Sequence, residues 1–376
     1  MILIIKSNEN NQKQINDYDI MIVGGGPAGI STWLHLNKYD PDLASRCILI
    51  EKEKYPRDKL CGGAVGGWSD NVFKNLDLNI NVPSVWIDKV EIQYLDKFFY
   101  LNNPRYFRIV KRKEFDYNLV KQAIKRGLQI KENEQFLDFF RNNKHLIVKT
   151  SKQEYRIKTL VGADGACSNV RKKIGHYQSQ NLAPAIEIFE PANSPFDTEF
   201  QEKKVVFDFS PIKLGLQGYV WHFPYLEDNK PYMNHGIGDF RVNKSNKIAD
   251  MKLIFKNELK KRNINRVINS WSSQPIRWYS KDDILSQSNI LLVGDAAGID
   301  PATGGGIHLA LSYGDLATQA IISAFKYNNF LYNDYIERFQ NHLVGKYIKK
   351  LSFIANEMYN QRVNPLDAVK EIFLKN

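Results

Sequence analysis

Three short glycine-rich stretches, at residues 24–29, 162–165 and 294–298, contain residue types that bind phosphate groups and ribose. Glycine lets the backbone approach a phosphate closely, and an acidic side chain at the end of a strand can accept hydrogen bonds from sugar hydroxyl groups. Each stretch alone is a weak signal. Their order and spacing together predict that most of the chain binds one flavin adenine dinucleotide (FAD).

The first stretch follows a predicted buried strand at residues 18–23 and precedes a predicted helix, which is the context that a Gly-x-Gly-x-x-Gly pattern requires. Gly24 permits the tight turn, Gly26 lets the backbone approach the pyrophosphate, and Gly29 lets the helix pack on the strand. We predict that Ala28 lies beside them at the cofactor.

Three acidic residues follow predicted strands. Glu51 is placed to accept hydrogen bonds from the adenosine ribose. Asp295 is predicted to bind a hydroxyl of the ribityl chain. Asp164 lies in a sharp turn, and we expect it to act through that turn or at the site of the electron donor; an ordinary β-turn is the alternative.

A further glycine-rich segment, which follows the third stretch and contains Gly304 and Gly306, precedes an apolar helix that begins near Ile307. Its bare amides and the helix N-terminus are predicted to face the pyrimidine end of the flavin ring. Because a helix N-terminus favours negative charge, this placement would stabilise the reduced flavin.

The three stretches, over residues 17–330, resemble the FAD-dependent oxidoreductases with the para-hydroxybenzoate hydroxylase fold. Residues 56–63 look like the Pro-Arg-x-Lys-x-Cys-Gly-Gly signature of the geranylgeranyl reductases in that superfamily, and residues 219–224 are similar to their Tyr-x-Trp-x-Phe-Pro motif. Halogenases carry Trp-x-Trp-x-Ile-Pro instead, and aromatic hydroxylases lack both signatures. The resemblance implies FAD contacts at Glu51, Cys61, Gly62, Arg112, Asp295, Gly306 and Ile307.

Aromatic side chains alternate at Tyr219, Trp221 and Phe223, so they should share one face of a strand. We interpret this face as the wall of a substrate pocket; an ordinary sheet core is the alternative. Cys61, between the Pro-Arg segment and two glycines, is predicted to lie beside the flavin and the substrate. Cys61, Tyr219 and Trp221 are therefore the candidate catalytic pocket, with no direct thiol chemistry expected.

Two histidines, His222 and His308, stand beside apolar runs and could donate protons. A lone histidine in that setting is more often structural, so neither is included in the predicted catalytic set.

These patterns predict an α/β fold: a Rossmann-like FAD-binding domain interleaved with an antiparallel-sheet substrate domain and followed by C-terminal helices. The FAD-binding domain is expected to be discontinuous, because its motifs are separated by aromatic and β-branched segments with polar alternation. The predicted boundaries are 17–80, 105–176 and 285–330 for the FAD-binding domain, 81–104 and 177–284 for the substrate domain, and 331–376 for the C-terminal helical segment.

The C-terminal segment repeats apolar residues at helical spacing from Tyr347 to Met358, with lysines on the other face. Packing against the substrate domain is the favoured interpretation, and contact with anionic lipid is the alternative. At the other end, residues 1–5 are too short for a signal-peptide core, and the polar segment 6–16 is predicted to be a loose extension.

Composition narrows the class of protein. A 376-residue chain with 43% hydrophobic and 25% charged residues is typical of a globular protein of about two domains, and no apolar run reaches the roughly 20 residues of a membrane helix. The net charge of +11 is scattered, so we expect no nucleic-acid partner, while attraction to an anionic membrane surface stays open. Three cysteines without disulfide or metal-ligand spacing favour the cytoplasm and predict no metal site.

The leading functional hypothesis is an FAD-dependent reductase of carbon–carbon double bonds, acting on an apolar, prenylated small molecule or lipid of the geranylgeranyl type. The electron donor would be NAD(P)H or a small redox protein, because the chain has one Gly-x-Gly-x-x-Gly turn. A flavin-dependent monooxygenase or halogenase acting on an aromatic or other apolar compound is the first alternative. A non-catalytic FAD-binding protein is the second.

Overall fold

The computed structural model describes residues 16–175, 181–192, 197–264 and 271–374. The expected N-terminal extension up to residue 15 lies outside the described residues, as does the expected domain junction at residues 176 and 177. No helix in these ranges is long and apolar enough to cross a membrane.

The strands form three sheets, in which strands distant in the sequence lie side by side. In chain order they are β1 (Asn16–Asp17), β2 (Ile20–Val23), β3 (Cys47–Ile50), β4 (Ala64–Val65), β5 (Ser84–Tyr94), β6 (Lys97–Val110), β7 (Gln129–Lys131), β8 (Phe136–Asn142), β9 (His145–Thr150), β10 (Glu154–Ile157), β11 (Thr159–Gly162), β12 (Leu182–Pro191), β13 (Lys204–Asp208), β14 (Gly218–Glu227), β15 (Lys230–Asp239), β16 (Ser272–Arg277), β17 (Ser286–Gln287) and β18 (Ile290–Leu292).

The helices surround these sheets. They are α1 (Pro27–Tyr39), α2 (Pro41–Ser45), α3 (Ser69–Asn75), α4 (Arg112–Lys125), α5 (Asn169–Lys173), α6 (Thr198–Gln201), α7 (Met251–Lys261), α8 (Gly306–Tyr327), α9 (Tyr335–Asn341), α10 (Leu343–Tyr359) and α11 (Pro365–Leu374), with short 3₁₀ helices at Ser210–Leu214 and Gly294–Ala296.

The six-stranded sheet has the order β17-β18-β11-β2-β3-β7, and every pair except β17–β18 is parallel. Strands β2, β3, β11 and β18 are buried at every position, which explains their near-continuous apolar sequences. Gly162 pairs with Val23 on one side and Leu292 on the other. The three glycine-rich stretches therefore emerge together at one edge of this sheet.

Helices α1 and α8 pack closely against each other. Ser31 Oγ donates a hydrogen bond to the Leu311 carbonyl, and Thr318 Oγ1 donates to the Thr32 carbonyl at 3.1 Å. A side chain at Gly314 would place its Cβ 2.5 Å from Ser31 Oγ. The close approach fixes the glycine-rich loop before α8 relative to the turn before α1.

Two consecutive strands, β10 and β11, belong to different sheets. Strand β10 lies in a four-stranded sheet of order β1-β10-β9-β8, and β11 lies in the six-stranded sheet. Strands β8 and β9, which precede them, pair antiparallel.

The eight-stranded sheet, of order β16-β12-β15-β14-β13-β5-β6-β4, is mainly antiparallel, with β13 and β5 parallel. One face packs with α10 and α11 in a core that contains Tyr225, Leu351 and Met358, so the apolar stripe of the C-terminal segment is buried there. The other face is covered by α7, in a core that includes Val220 and Phe255. The observed architecture confirms the predicted α/β fold class with C-terminal helices.

Candidate functional site

A cavity of about 640 Å³ lies between the carboxyl edge of the six-stranded sheet and strand β14 of the large sheet. Segments from all three glycine-rich stretches meet in its wall. Predicted cofactor-binding and pocket residues that line the cavity are Gly24, Gly26, Ala28, Glu51, Cys61, Gly62, Arg112, Asp164, Tyr219, Trp221, Asp295, Gly304, Gly306 and Ile307. Gly29 supports this wall from behind.

The turn before α1 depends on the absence of side chains. Gly24 has φ +103°, a left-handed conformation that favours glycine. At Gly29 a Cβ would lie 2.0 Å from the Gly24 carbonyl oxygen, whereas at Gly26 a Cβ would meet nothing within 4 Å. Gly26 is also the N-cap of α1 and makes no side-chain capping bond. Open space therefore faces the amides at the start of α1, as a bound phosphate requires.

Glu51 holds the same turn from the neighbouring strand. Its Oε2 accepts a hydrogen bond from the Gly25 amide at 2.9 Å, and its Oε1 accepts one from the Glu53 amide at 3.1 Å. The Arg57 Nε lies 3.5 Å from Oε2. A carboxylate can accept about four hydrogen bonds, so Glu51 has capacity left for a ribose in addition to its structural role.

Arg112 is held by a carboxylate that sequence reasoning missed. Its guanidinium makes a bidentate pair with Asp116, with Nε–Oδ1 2.7 Å and Nη2–Oδ2 2.8 Å. Burial alone would lower the pKa of Arg112, but the Asp116 carboxylate outweighs it and the net pKa is raised, so the cation is secure. The same guanidinium interacts with the Cys61 thiol. The i, i+4 spacing on a helix beginning at Arg112 was the available signal for this pair.

The carboxylate of Asp164 accepts hydrogen bonds from residues that follow it in the chain. The donors are Ser168 Oγ, the Asn169 amide at 2.7 Å and the Val170 amide at 3.1 Å. These bonds satisfy backbone donors at the start of α5. Asp164 thus lines the cavity while its carboxylate holds a turn.

The loop between Asp295 and α8 brings backbone to the cavity. Gly304 and Gly305 have φ values of +81° and +95°, and Gly305 caps α8 without a side-chain hydrogen bond. A Cβ on Gly304 would lie 2.2 Å from the hydroxyl oxygen of Tyr219, which donates a hydrogen bond to the Thr303 carbonyl at 3.1 Å. The glycine loop that precedes α8 and the first aromatic residue of β14 are therefore in direct contact.

Asp300 is a buried acid in this loop that the sequence did not single out. Its Oδ1 accepts hydrogen bonds from the amides of Thr303 at 3.2 Å and Gly304 at 3.1 Å. Burial raises the pKa of Asp300 to about 7, although those amides act in the opposite direction. Asp300 therefore shapes the glycine loop.

The aromatic face is assembled as predicted on one side of β14. Ring centroids of Tyr219 and Trp221 lie 6.1 Å apart, and those of Trp221 and Phe223 lie 6.4 Å apart. At Gly62 a Cβ would lie 2.9 Å from the Phe223 ring, and at Gly236 a Cβ would lie 2.0 Å from the Trp221 ring. Two glycines therefore make room for the rings, one from the cofactor side and one from the neighbouring strand.

Two further side chains of the cavity wall were missed. Lys59 lies there, and burial lowers its pKa while the Asp295 carboxylate acts in the opposite direction. Glu187 on β12 is 5% exposed, and its Oε2 accepts a hydrogen bond from Asn234 Nδ2 at 2.8 Å. Its position inside an otherwise apolar run was the only signal in the sequence.

The two histidines considered from the sequence lie elsewhere. His222 Nδ1 is 2.7 Å from His235 Nδ1, on the opposite face of β14 from Trp221. The His308 ring packs edge-on against Trp68 at a centroid distance of 5.0 Å, and burial lowers its pKa to about 4. Neither ring belongs to the cavity wall formed by the described residues.

These features fit a flavin dinucleotide. Open helix N-termini at α1 and α8 suit a pyrophosphate and an electron-rich ring edge, and the carboxylates of Glu51 and Asp295 line the cavity, where they could accept hydrogen bonds from sugar hydroxyls. The buried Arg112 supplies a fixed cation.

Comparison with known families decides the cofactor. The model of a family described as "FAD binding domain" matches residues 84–312. The chain belongs to this family. It is also 27% identical over 385 residues to digeranylgeranylglycerophospholipid reductase 2 of Methanosphaera stadtmanae, covering 95% of this chain and 91% of the relative. Together these likenesses identify an FAD-dependent oxidoreductase and confirm the resemblance to geranylgeranyl reductases.

Solved structures share the fold with different chemistries. A geranylgeranyl bacteriochlorophyll reductase-like protein from Thermoplasma acidophilum has a TM-score of 0.70 at 19% identity, covering 96% of this chain and 98% of that one. The halogenase PltM has a TM-score of 0.69 at 16% identity, covering 91% of this chain and 76% of that one. At these identities the comparison establishes the fold, and the choice of reaction depends on the site.

Proposed function

We propose that the protein reduces carbon–carbon double bonds of a prenyl chain of the geranylgeranyl type. The observation that carries the proposal is the wall of Tyr219, Trp221 and Phe223, which meets the cofactor loops directly at Gly62 and Gly304. An apolar chain laid along this wall would lie beside the flavin. The names of relatives such as the Methanosphaera reductase support a prenylated lipid as the substrate.

In this proposal, one set of residues binds the cofactor and another aligns the substrate. When bound and reduced, FAD supplies a hydride for one carbon of the double bond. The amides at the starts of α1 and α8 and the Arg112 cation bind and orient the cofactor, and the aromatic wall excludes water and aligns the chain. The electron donor would be NAD(P)H or a small redox protein, since one dinucleotide-binding turn is present in the sequence.

A lipid substrate also suggests where the protein works. We propose a cytoplasmic protein that contacts the membrane surface peripherally, because a net charge of +11 attracts anionic lipid. Co-sedimentation with phosphatidylglycerol vesicles, compared with phosphatidylcholine vesicles at low and high salt, tests this. Equal binding to both lipids would contradict it.

Anaerobic reoxidation of the reduced flavin tests the reaction. The FAD-loaded protein is photoreduced and mixed with a digeranylgeranyl glycerophospholipid, with its fully saturated analogue as the control, and separately with oxygen. We expect the unsaturated lipid alone of the two to restore the oxidised flavin spectrum, with a gain of hydrogen detected by mass spectrometry.

Other outcomes support the alternatives. Hydroxylation or halogenation of an aromatic compound with consumption of oxygen, and no reaction with the lipid, would support a monooxygenase or halogenase. Failure of NAD(P)H, redox proteins and dithionite to reduce a bound FAD would support a non-catalytic role.

A further inference from the structure

Glu187 combines burial, a place in the cavity wall and an unsatisfied oxygen. It projects from β12 of the large sheet, and its Oε1 makes no hydrogen bond of normal geometry with the described residues, although the Cys61 backbone acts electrostatically on the same carboxylate. A buried polar atom without a partner is costly, so its presence in a cavity wall indicates a bond that forms with a bound molecule.

The direction of the hydrogen bond between Asn234 and Oε2 of Glu187 is fixed by a neighbouring tryptophan. Trp221 Nε1 can only donate a hydrogen bond, and it donates to Asn234 Oδ1. The Asn234 amide nitrogen therefore faces Glu187 and donates to Oε2 at 2.8 Å. With Oε2 engaged as an acceptor, a proton on this carboxyl group belongs on Oε1.

The surroundings raise the pKa of Glu187 above that of an ordinary glutamate. Burial is the largest effect, and the Asn234 amide, Lys111, Lys59 and the Cys61 backbone act in the opposite direction. The two lysines would stabilise the carboxylate left behind once the proton is transferred.

Two other proton-bearing groups of the wall, Asp300 and Tyr219, already make hydrogen bonds within the glycine loop. Asp300 Oδ1 accepts two backbone amides that shape the glycine loop, and the Tyr219 hydroxyl donates to the Thr303 carbonyl. Glu187 differs from both because it keeps one unpartnered oxygen beside the aromatic wall.

We propose that Glu187 is the proton donor of double-bond reduction, an inference that rests on the proposed function. The Oε1–H bond breaks and a C–H bond forms at one alkene carbon, using the π electron pair, while the hydride from reduced FAD forms the C–H bond at the other carbon. The alkene would gain the two electrons of that hydride, and Glu187 would be left as a carboxylate that solvent reprotonates. Asn234 and Trp221 are positioning residues that orient the acid.

Infrared difference spectroscopy tests the proton without turnover. FAD-loaded parent and Glu187→Gln proteins, both without substrate at neutral pH, are compared in the region of the C=O stretch of a protonated carboxylic acid. We expect a band in the parent that is lost in Glu187→Gln and kept in Glu190→Gln, which changes a glutamate of the same strand outside the cavity wall. A parent spectrum without a Glu187-dependent band would overturn the proposal.

Single-turnover reoxidation by the lipid tests the transfer. Glu187→Gln should slow it by about 10²-fold or more, the usual contribution of a positioned general acid, while reoxidation by ferricyanide and the FAD content stay at parental values. Glu187→Asp, which keeps an acid but shortens its reach, should lie between the two, and also serves if the Gln variant fails to fold.

The outcomes separate this proposal from the function on which it depends. If the parent protein reduces no prenyl lipid, the proposed function fails, whatever the infrared band shows. If the parent reduces the lipid and Glu187→Gln does so at the same rate, the proton donor alone is overturned. Loss of lipid reduction in Asp300→Asn but not in Glu187→Gln would also overturn it and assign the proton to Asp300.

Discussion

The two walls of the cavity are built in different ways. The proposed cofactor wall is made mainly of backbone: the turn at Gly24, the uncapped starts of α1 and α8, and a carboxylate that holds the first turn. The proposed substrate wall is made of side chains from β12, β14 and β15. Backbone surfaces fit a cofactor shared by many proteins, whereas side chains can be exchanged to suit one substrate.

A pair of glycine substitutions gives the sharpest test of the backbone wall, with the largest expected effect. Gly29→Ala would put a methyl group 2.0 Å from the Gly24 carbonyl, so we expect a loss of stability of about 3 kcal/mol or more. Gly26→Ala meets no protein atom within 4 Å and should fold normally while binding FAD roughly tenfold more weakly, equivalent to about 1.4 kcal/mol.

Thermal unfolding of the apoproteins and titration with FAD distinguish these effects. If the Gly26→Ala variant binds FAD as tightly as the parent protein does, the proposed position of the pyrophosphate beside Gly26 is wrong.

On the substrate wall, Trp221→Ala should leave FAD bound but slow lipid-driven reoxidation roughly ten- to a hundredfold, because about 1–3 kcal/mol of apolar contact is removed. Trp221→Phe keeps one aromatic ring while losing the hydrogen bond to Asn234 and part of the apolar surface, so its effect should be smaller than that of Trp221→Ala. Cys61→Ser, beside Gly62, should also retain FAD and slow the reaction. Parental rates in all three variants would mean that the substrate lies elsewhere.

Two aspartates in the cofactor wall should respond differently to removal. Asp295→Ala should weaken FAD binding about tenfold, since a charge-assisted hydrogen bond contributes ~1.5–3 kcal/mol. Asp164→Ala removes the acceptor for the amides of Asn169 and Val170, so it should lower stability more than affinity. Flavin fluorescence titrations and denaturant unfolding measure the two quantities, and equal FAD affinities in both variants and the parent would contradict the assignment of Asp295.

The smallest expected effect is the pH dependence contributed by Asp300. Its pKa rises on folding from an ordinary value near 4 to about 7, so the folded state binds more protons than the unfolded state between these values. The contribution of Asp300 to stability should therefore fall as the pH rises through that window. Asp300→Asn should lose this dependence and gain stability relative to the parent above about pH 7. Parallel pH profiles of the unfolding midpoint would show that Asp300 is ionised in the folded protein.

The sequence predicts a feature of this fold best when the residues that form it are close together in the chain. The turn from Gly24 to Gly29 was predicted residue by residue, because strand, turn and helix are consecutive. The aromatic alternation on β14 was equally accessible, since a strand places every second side chain on one face.

The hydrogen-bonded group of Glu187, Trp221 and Asn234 could not be predicted from the sequence, because its members come together only when β12, β14 and β15 pair in the sheet. Nor could the sequence show that the consecutive strands β10 and β11 would belong to different sheets. The site assignments and the predicted domain boundaries remain predictions.

The contact between Gly304 and the Tyr219 hydroxyl has a consequence for how such a pocket could diversify. Any larger residue at position 304, or any repositioned ring at 219, would displace the glycine loop at the start of α8. New substrate preferences are therefore expected to arise by replacing Phe207 and Phe240, whose rings pack against Tyr219. Libraries that vary these two neighbouring rings while keeping residues 219 and 304 fixed should yield more flavin-loaded variants than libraries that vary residues 219 and 304.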